Sequence, residues 1–465
     1  MQDTITRPRR LREHAALAGL VLGAVLGLTF VLASGRAVAE RQIGSSGPIL
    51  DATHVPPLLA TDGEDVALRY DVHCASEGEG SEDVACDARG TVFVRAGMFG
   101  AFQPIPLTID KGATERRHVA GVPARIATSG QGFSYFAVFS ADGGGASVTL
   151  PAGGAESPHR SLPLGRAVEV PLGRHDFGRV RKADARVAEA RWGGGVAEVG
   201  LEGGVNVAPV GGSSFDVDGA RNVLVLDQVN RRVLRWTPKA AAPIPVPVSV
   251  DGTIADLAIT GTGTMYVLEG GRAARSPALR TFDRSGRTLL VAELAERTAT
   301  QVRVGPTGAL VLQHPSGQWF PAATDGTPPA AVTQARAGRS GRLLPNGDEV
   351  IVLRTGNEIR LALANEHRVR RAWRITSGSP LAEVQLAEPM AGGLLVVFRV
   401  YSETDDEFVA LLLGPHGVLA RMSLESADWA ESAPLSRFRL QGASLYQLGS
   451  TRTGVFVDRF DLEVK

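Results

Sequence analysis

The chain has 465 residues, too many for one ordinary core, so two or three domains are expected. Its 49 basic residues balance 49 acidic ones, which removes the electrostatic drive toward nucleic acid. Gly (55) and Pro (27) are abundant, as a β-rich chain with many tight turns requires.

Residues 1–39 read as an export segment. Arg7, Arg9, Arg10 and Arg12 precede an uncharged run from Ala15 to Ser34, and Ala37-Val38-Ala39 forms a small-x-small site. The 20-residue run fits a cleaved signal and is also long enough to stay as a membrane anchor. Both readings put the rest of the chain outside the cytoplasm, touching membrane only through this segment. Residues 40–63, with Pro48, Pro56 and Pro57, read as an extended linker.

Residues 64–165 read as a β-sandwich of immunoglobulin-like type. In DVALRYDVH, Val66, Leu68, Tyr70 and Val72 share one face. GTVFVRAG, FQPIPLTI, GFSYFAVFSAD and ASVTLPAG supply further strands between Gly-rich turns. Cys74 and Cys86 read as a disulfide closing an acidic loop, worth on the order of 3 kcal/mol in the chain-entropy model. Residues 166–186 read as a second, solvated linker, in a Gly/Pro/Arg-rich stretch that includes His159, His175 and Asp176.

From residue 187 onward a motif repeats. Central apolar strands end at Leu226, Leu268, Leu312, Leu353, Val397 and Leu448, spaced 42, 44, 41, 44 and 51 residues. Such a period marks a β-propeller, here with six blades over residues 187–465. Each central strand follows an inner strand and a turn holding Gly. The last copy stops after three strands, and Val187–Trp192 (VAEARW) can supply the fourth and close the ring. The whole chain is thus expected to be all-β, a sandwich followed by a propeller.

SSFDVDGARNVLVLDQVNRRVLRW resembles the NHL-repeat pattern, with Asp227, Asn230, Arg232 and Val233 carrying the match. Later copies keep the spacing and the apolar strands but lose the Asp and Asn. The resemblance covers about 60% of the chain and implies a six-bladed propeller without specifying a ligand.

Turns between second and third strands should gather on one face. They offer Asp227, Asn230, Arg231, Glu269, His314, Arg354, Tyr401 and Asp405 as binding candidates. Asp227 and Asn230 are also the residue types that pin a turn by bonding neighbouring backbone. A polar rim with arginines and few large apolars suits a protein or carbohydrate partner at the cell envelope. The expectation is a monomeric, non-catalytic binding protein without a cofactor. Calcium has two candidate sites, Asp216 to Asn222 and the acidic turn Glu403, Asp405, Asp406 and Glu407. The alternative is a lactonase-like propeller hydrolase or lyase with a metal on the axis. His367 and His416 fall in third-to-fourth strand turns, away from His314, which speaks against a multi-histidine site.

Overall fold

The computed structural model describes residues 49–54, 59–61, 63–75, 83–84, 88–110, 117–141, 147–204, 207–238, 240, 242–249, 255–269, 278–293, 301–305, 310–313, 319–322, 342–344, 346–365, 368–430 and 436–462. Among them the chain is almost entirely β, with one short helix at Ala124–Ala127. None of their helices is long and apolar enough to cross a membrane. The export segment lies outside the described residues. So does the disulfide: Cys74 lies in the strand Val66–Ala75 without a described side chain, and Cys86 is not described.

The N-terminal unit has two sheets around one core. The first runs Ile49–His54, Val66–Ala75, Arg117–Val122 and Thr108–Ile109, with Asp83–Val84 added to Val66–Ala75. The second runs Leu59–Thr61, His159–Gly165, Phe133–Ala141, Ala88–Ala96 and Gln103–Pro106, with Ser147–Leu150 added to Phe133–Ala141. The alternation read in Val66–Val72 is present: those apolar positions are buried against Val92, Val94, Phe133, Tyr135, Ala137 and Phe139 of the facing sheet. The linker reading of residues 40–63 needs correction. Ile49–His54 pairs with Val66–Ala75, and Leu59–Thr61 pairs in parallel with His159–Gly165. Neither segment has a strong period of its own, and each is held as a strand by its partner.

The C-terminal unit is a β-propeller by strand order. Consecutive antiparallel meanders follow one another, labelled here sheets I to VI. Sheet I is Ser214–Val217, Val223–Asp227, Arg232–Trp236 and Ile244–Pro247; sheet II is Ala255–Ile259, Met265–Glu269, Ala278–Phe282 and Thr288–Glu293. Sheet III is Gln301–Val304, Leu310–Gln313 and Trp319–Pro321. Sheet IV is Arg342–Leu343, Glu349–Thr355, Glu358–Ala364 and Val369–Thr376. Sheet V is Leu381–Met390, Gly393–Tyr401, Asp406–Gly414 and Gly417–Glu425; sheet VI is Phe438–Gln441, Ser444–Thr451 and Gly454–Asp461. Ala185–Arg191 pairs antiparallel with Gly454–Asp461 as the outer strand of sheet VI. One apolar cluster then joins Ala188 and Val457 of sheet VI to Phe215 and Val225 of sheet I.

Val223–Asp227, the second strand of sheet I, is buried at every position. A strand covered on both faces reads as a continuous apolar run, and adjoining sheets supply both covers here. Turns between first and second strands use Gly263, Gly347, Gly392 and Gly442 at φ of 93°, 80°, 86° and 62°. Sheet I differs: its left-handed residue is Arg221 (φ 63°), and Asp218 Oδ1 steadies the turn by accepting from the backbone N–H of Ala220 and Asn222.

The segment read as the second linker is ordered along the rim. Val168–Pro171 adds to sheet IV as a fifth strand, parallel to Val369–Thr376. His175 is buried, with Nε2 2.8 Å from Glu407 Oε2 on sheet V. The Arg181 N–H donates to Ser423 O at 2.8 Å, and the Asp184 N–H to Arg459 O at 2.9 Å. Glu64 of the N-terminal unit pairs with Arg360 of sheet IV at 3.0 Å.

Candidate functional site

The expected face divides into residues that brace the fold and residues free to meet a partner. Asp227 is wholly buried at the end of its strand. Its Oδ1 accepts from Gly200 N (2.9 Å) and Asn230 N (3.2 Å), and its Oδ2 from Asn230 Nδ2 and Arg232 Nε (both 2.8 Å). Asn230 Nδ2 also donates to Gly193 O at 3.0 Å, and Arg232 Nη2 to Gly195 O at 2.7 Å. Together they tie the 193–200 segment to sheet I, so Asp227 and Asn230 act inside the fold. Glu269 is likewise buried and paired with Arg280 at 3.0 Å. His314 lies outside the described residues.

Arg231, Arg354, Tyr401 and Asp405 are exposed. Arg231 holds a left-handed backbone (φ 54°) that turns the chain outward. Arg354 and Tyr401 come from different sheets and meet the same link: Arg354 Nη1 donates to Leu381 O at 3.2 Å, and the Tyr401 N–H to Pro380 O at 3.2 Å. Asp405 closes the turn that Tyr401 opens, its N–H donating to Ser402 Oγ at 2.9 Å. These three form one patch over the junction of sheets IV and V.

A second patch lies where sheets VI and I meet. Trp192 Nε1 donates to Thr451 O at 2.9 Å, and the Trp429 N–H to Ser450 O at 3.5 Å, so both indoles sit at the second-to-third strand turn of sheet VI. Their ring centroids are 6.3 Å apart. Trp192 lines a small concavity of about 10 Å³ together with Gly212, Ala427, Arg437 and Ser450. That is room for about one water, far below the about 300 to 1,000 Å³ of a small-molecule pocket, so the concavity does not engulf a ligand. No sequence motif marked these tryptophans; each is one aromatic residue in a connector, assembled only by ring closure.

The axis holds a third assembly, equally hidden in the sequence. First strands of different sheets each turn a polar side chain inward. Asp256 is fully buried: its Oδ1 accepts from Ser214 Oγ (2.6 Å) and Ser436 Oγ (2.5 Å), its Oδ2 from Val302 N (2.8 Å) and Arg303 Nη1 (2.9 Å). Asp216 accepts from Arg439 Nε (3.1 Å) and Ile259 N (2.8 Å), and Arg439 Nη2 donates to Leu257 O (2.9 Å). Burial pushes the Asp256 carboxyl up, but Arg303, Arg439 and the two serine hydroxyls outweigh it and hold the group below its usual range. Burial, then the neighbouring Arg439 guanidinium, brings Arg303 down to about 10, still charged at neutral pH. These carboxylates have spent their lone pairs on protein donors.

Neither calcium expectation gathers its ligands. Asp218 is engaged by its own turn and by Asn222 Nδ2, and Asp216 by Arg439. In the acidic turn Asp406 pairs with Arg399 at 2.6 Å, while Glu407 turns inward to His175 and Gly178 N. Among the described residues no group of three or more His, Cys, Asp or Glu is arranged to hold a metal ion.

No known protein family profile matches the chain, and no curated protein matches its sequence. Solved structures similar to it include a protein of unknown function from Bacteroides thetaiotaomicron, 9% identical over 88% of this chain and 98% of that one, with a TM-score of 0.35. Another is regucalcin, a calcium-binding protein from Agrobacterium tumefaciens: 11% identity, 64% and 100% coverage, TM-score 0.32. A third is virginiamycin B lyase from Staphylococcus aureus: 10% identity, 55% and 86% coverage, TM-score 0.31. Scores this low carry no functional argument, and the propeller assignment rests on the strand order of the chain itself.

Proposed function

We propose that this is an exported, NHL-like six-bladed propeller, preceded by an immunoglobulin-like sandwich, that binds a protein or carbohydrate partner at the cell envelope without catalysing a reaction on it. The carrying observation is the make-up of one face. Trp429 and Tyr401, 37% and 42% exposed, share it with the exposed Arg231 and Arg354. Trp, Tyr and Arg are the residues that concentrate energy in interfaces. The saturated axial carboxylates support binding over a lactonase-like metal chemistry on the axis.

The test compares Arg354→Ala, Tyr401→Ala and Trp429→Ala with the unmodified chain for binding to source-cell envelope fractions and to an immobilised glycan panel. Each variant should weaken binding about tenfold or more and keep its melting temperature, since exposed side chains contribute little to folding. Unaltered binding in all three would refute the assignment of the face. Stoichiometric, tightly held calcium or zinc in the purified propeller, with turnover of a lactone, would favour the enzyme.

A further inference from the structure

The outer edges of the propeller sheets are treated unequally. A free strand edge carries unpaired N–H and C=O groups and invites another strand, so folded proteins cover, charge or interrupt it. The rim segment does this for three sheets. Val168–Pro171 pairs along sheet IV, and the Arg181 N–H donates to Ser423 O on the outer strand of sheet V. Ala185–Arg191 completes sheet VI and carries Arg186, Glu189 and Arg191 along its length.

Sheet I uses proline. The Val248 N–H donates inward to Arg231 O at 3.0 Å, so by alternation Val246 also faces inward, while Pro245 and Pro247 turn their nitrogens outward. A proline nitrogen has no hydrogen to give, and this edge cannot extend the sheet. Sheet III has no described fourth strand.

Sheet II has none of these devices. Its outer strand, Thr288–Glu293, pairs with Ala278–Phe282 on one side and with no described strand on the other. It holds no proline. Leu289, Leu290 and Val291 are 52%, 48% and 47% exposed. Successive residues of a strand point to opposite faces, so apolar side chains stand in water on both. A solvated edge would ordinarily carry charge at such positions.

The strand is complementary to itself. When RTLLVAE, residues 287–293, is turned antiparallel about Leu290, Leu290 faces Leu290, Leu289 faces Val291 and Thr288 faces Ala292. The same register sets Arg287 of each copy across from Glu293 of the other. Apolar pairs at the centre and opposite charges at both ends are the cross-strand pairings that stabilise an antiparallel sheet. Arg287 is exposed and tied in its own turn to Asp283 at 3.0 Å, a weak surface pair that leaves it able to turn.

We propose that Thr288–Glu293 is the seam of a homodimer, in which sheet II joins that of a second copy into one continuous antiparallel sheet about a two-fold axis through Leu290. This departs from the monomer expected on sequence. An edge paired with itself about a two-fold axis is used up, so assembly stops at two copies. The seam runs along an outer strand and not at the strand ends, so both copies keep the face proposed above for binding.

The test follows the full chain by sedimentation velocity from about 1 to about 100 µM, the range in which a small seam should dissociate. The expected result is a reversible equilibrium between monomer and dimer. Leu290→Lys places two like charges at the axis and should weaken the dimer about tenfold or more, with an unchanged melting temperature in dilute solution. The register has its own assay. Leu290→Cys should cross-link to its copy under mild oxidation, since directly opposed residues lie about 5 Å apart, within disulfide reach. Thr288→Cys would lie about 14 Å from its copy and should not cross-link. The unmodified chain controls for Cys74 and Cys86. A single monomeric species throughout would overturn the proposal and leave the edge to an extended segment of another protein. Open assemblies larger than two, an unweakened dimer in folded Leu290→Lys, or equal cross-linking of both cysteine variants would each overturn it as well. Should a variant fail to fold, the unmodified chain decides: backbone exchange in Thr288–Glu293 should slow as concentration rises, and exchange independent of concentration would equally overturn it.

Discussion

Acidifying the protein from pH 7 to pH 5 should loosen the N-terminal unit before the propeller. His54 and His159 have folded pKa values depressed from 6.5 to about 4 and about 3, in both cases chiefly by burial. The unfolded chain therefore binds more protons than the folded one below pH 6.5. Stability is full above that value and falls as pH drops toward the folded values. At pH 5 each histidine is 1.5 units below its unfolded pKa, about 2 kcal/mol apiece at about 1.4 kcal/mol per unit. Each ring keeps some exposure and the two are coupled, so about 2 kcal/mol for the pair is the working figure, against a typical total of about 5–15 kcal/mol. All five tryptophans lie at residue 192 or beyond, so indole fluorescence follows only the propeller. Hydrogen exchange in Val66–Ala75 and Phe133–Ala141 follows the other unit. Exchange in those strands should accelerate roughly thirtyfold between pH 7 and pH 5 after correction for intrinsic rates, as about 2 kcal/mol implies. His159→Gln should flatten the dependence. Protection unchanged down to pH 5, or an identical pH slope in His159→Gln, would refute the reasoning.

Two further outcomes follow from the propeller. Asp256→Asn should cost about 3–5 kcal/mol in urea denaturation followed by indole fluorescence, because it leaves Arg303 buried beside Arg439 without its carboxylate; a loss below 1 kcal/mol would mean the axis relaxes or admits water. Gly454→Ala would drive a methyl into the Ala190 carbonyl oxygen of the closing strand, so it should lower the melting temperature by several degrees and speed exchange in Ala185–Arg191, whereas an unaltered exchange pattern there would show that the strand does not seal the ring.

What the sequence disclosed depended on whether a feature was local. The alternation from Val66 to Val72 and the apolar runs ending at Leu226 and Val397 are written in consecutive residues, and the strands lie there. Asp227 and Asn230 were legible as turn-pinning types, but not their reach to Gly193 and Gly200, which needs the chain before the first sheet to return beside it. The axial network was illegible for a similar reason. Several first strands contribute a charged residue among apolars, such as Asp256 in ADLAI or Arg303 in QVRV, and only the ring brings them together. The one available signal was that a charged residue recurs in these short inner strands, Asp216, Asp256, Arg303 and Arg439, where surface loops would have been the cheaper place for charge. His54 was hidden by proline-rich surroundings that suggested a linker.

The rim segment gives the molecule a mechanical character. Between Val168 and Arg191 the chain is fastened in turn to sheet IV by strand pairing, to Ser379 and Glu407 through His175, to Ser423 through Arg181, and to sheet VI by the closing strand. A pull on the N-terminal unit would load the first of these fastenings and reach the closing strand only after the others had given way. The segment works as a strap with stops in series, so tension on one end of the chain is spread around the circumference before it can open the ring.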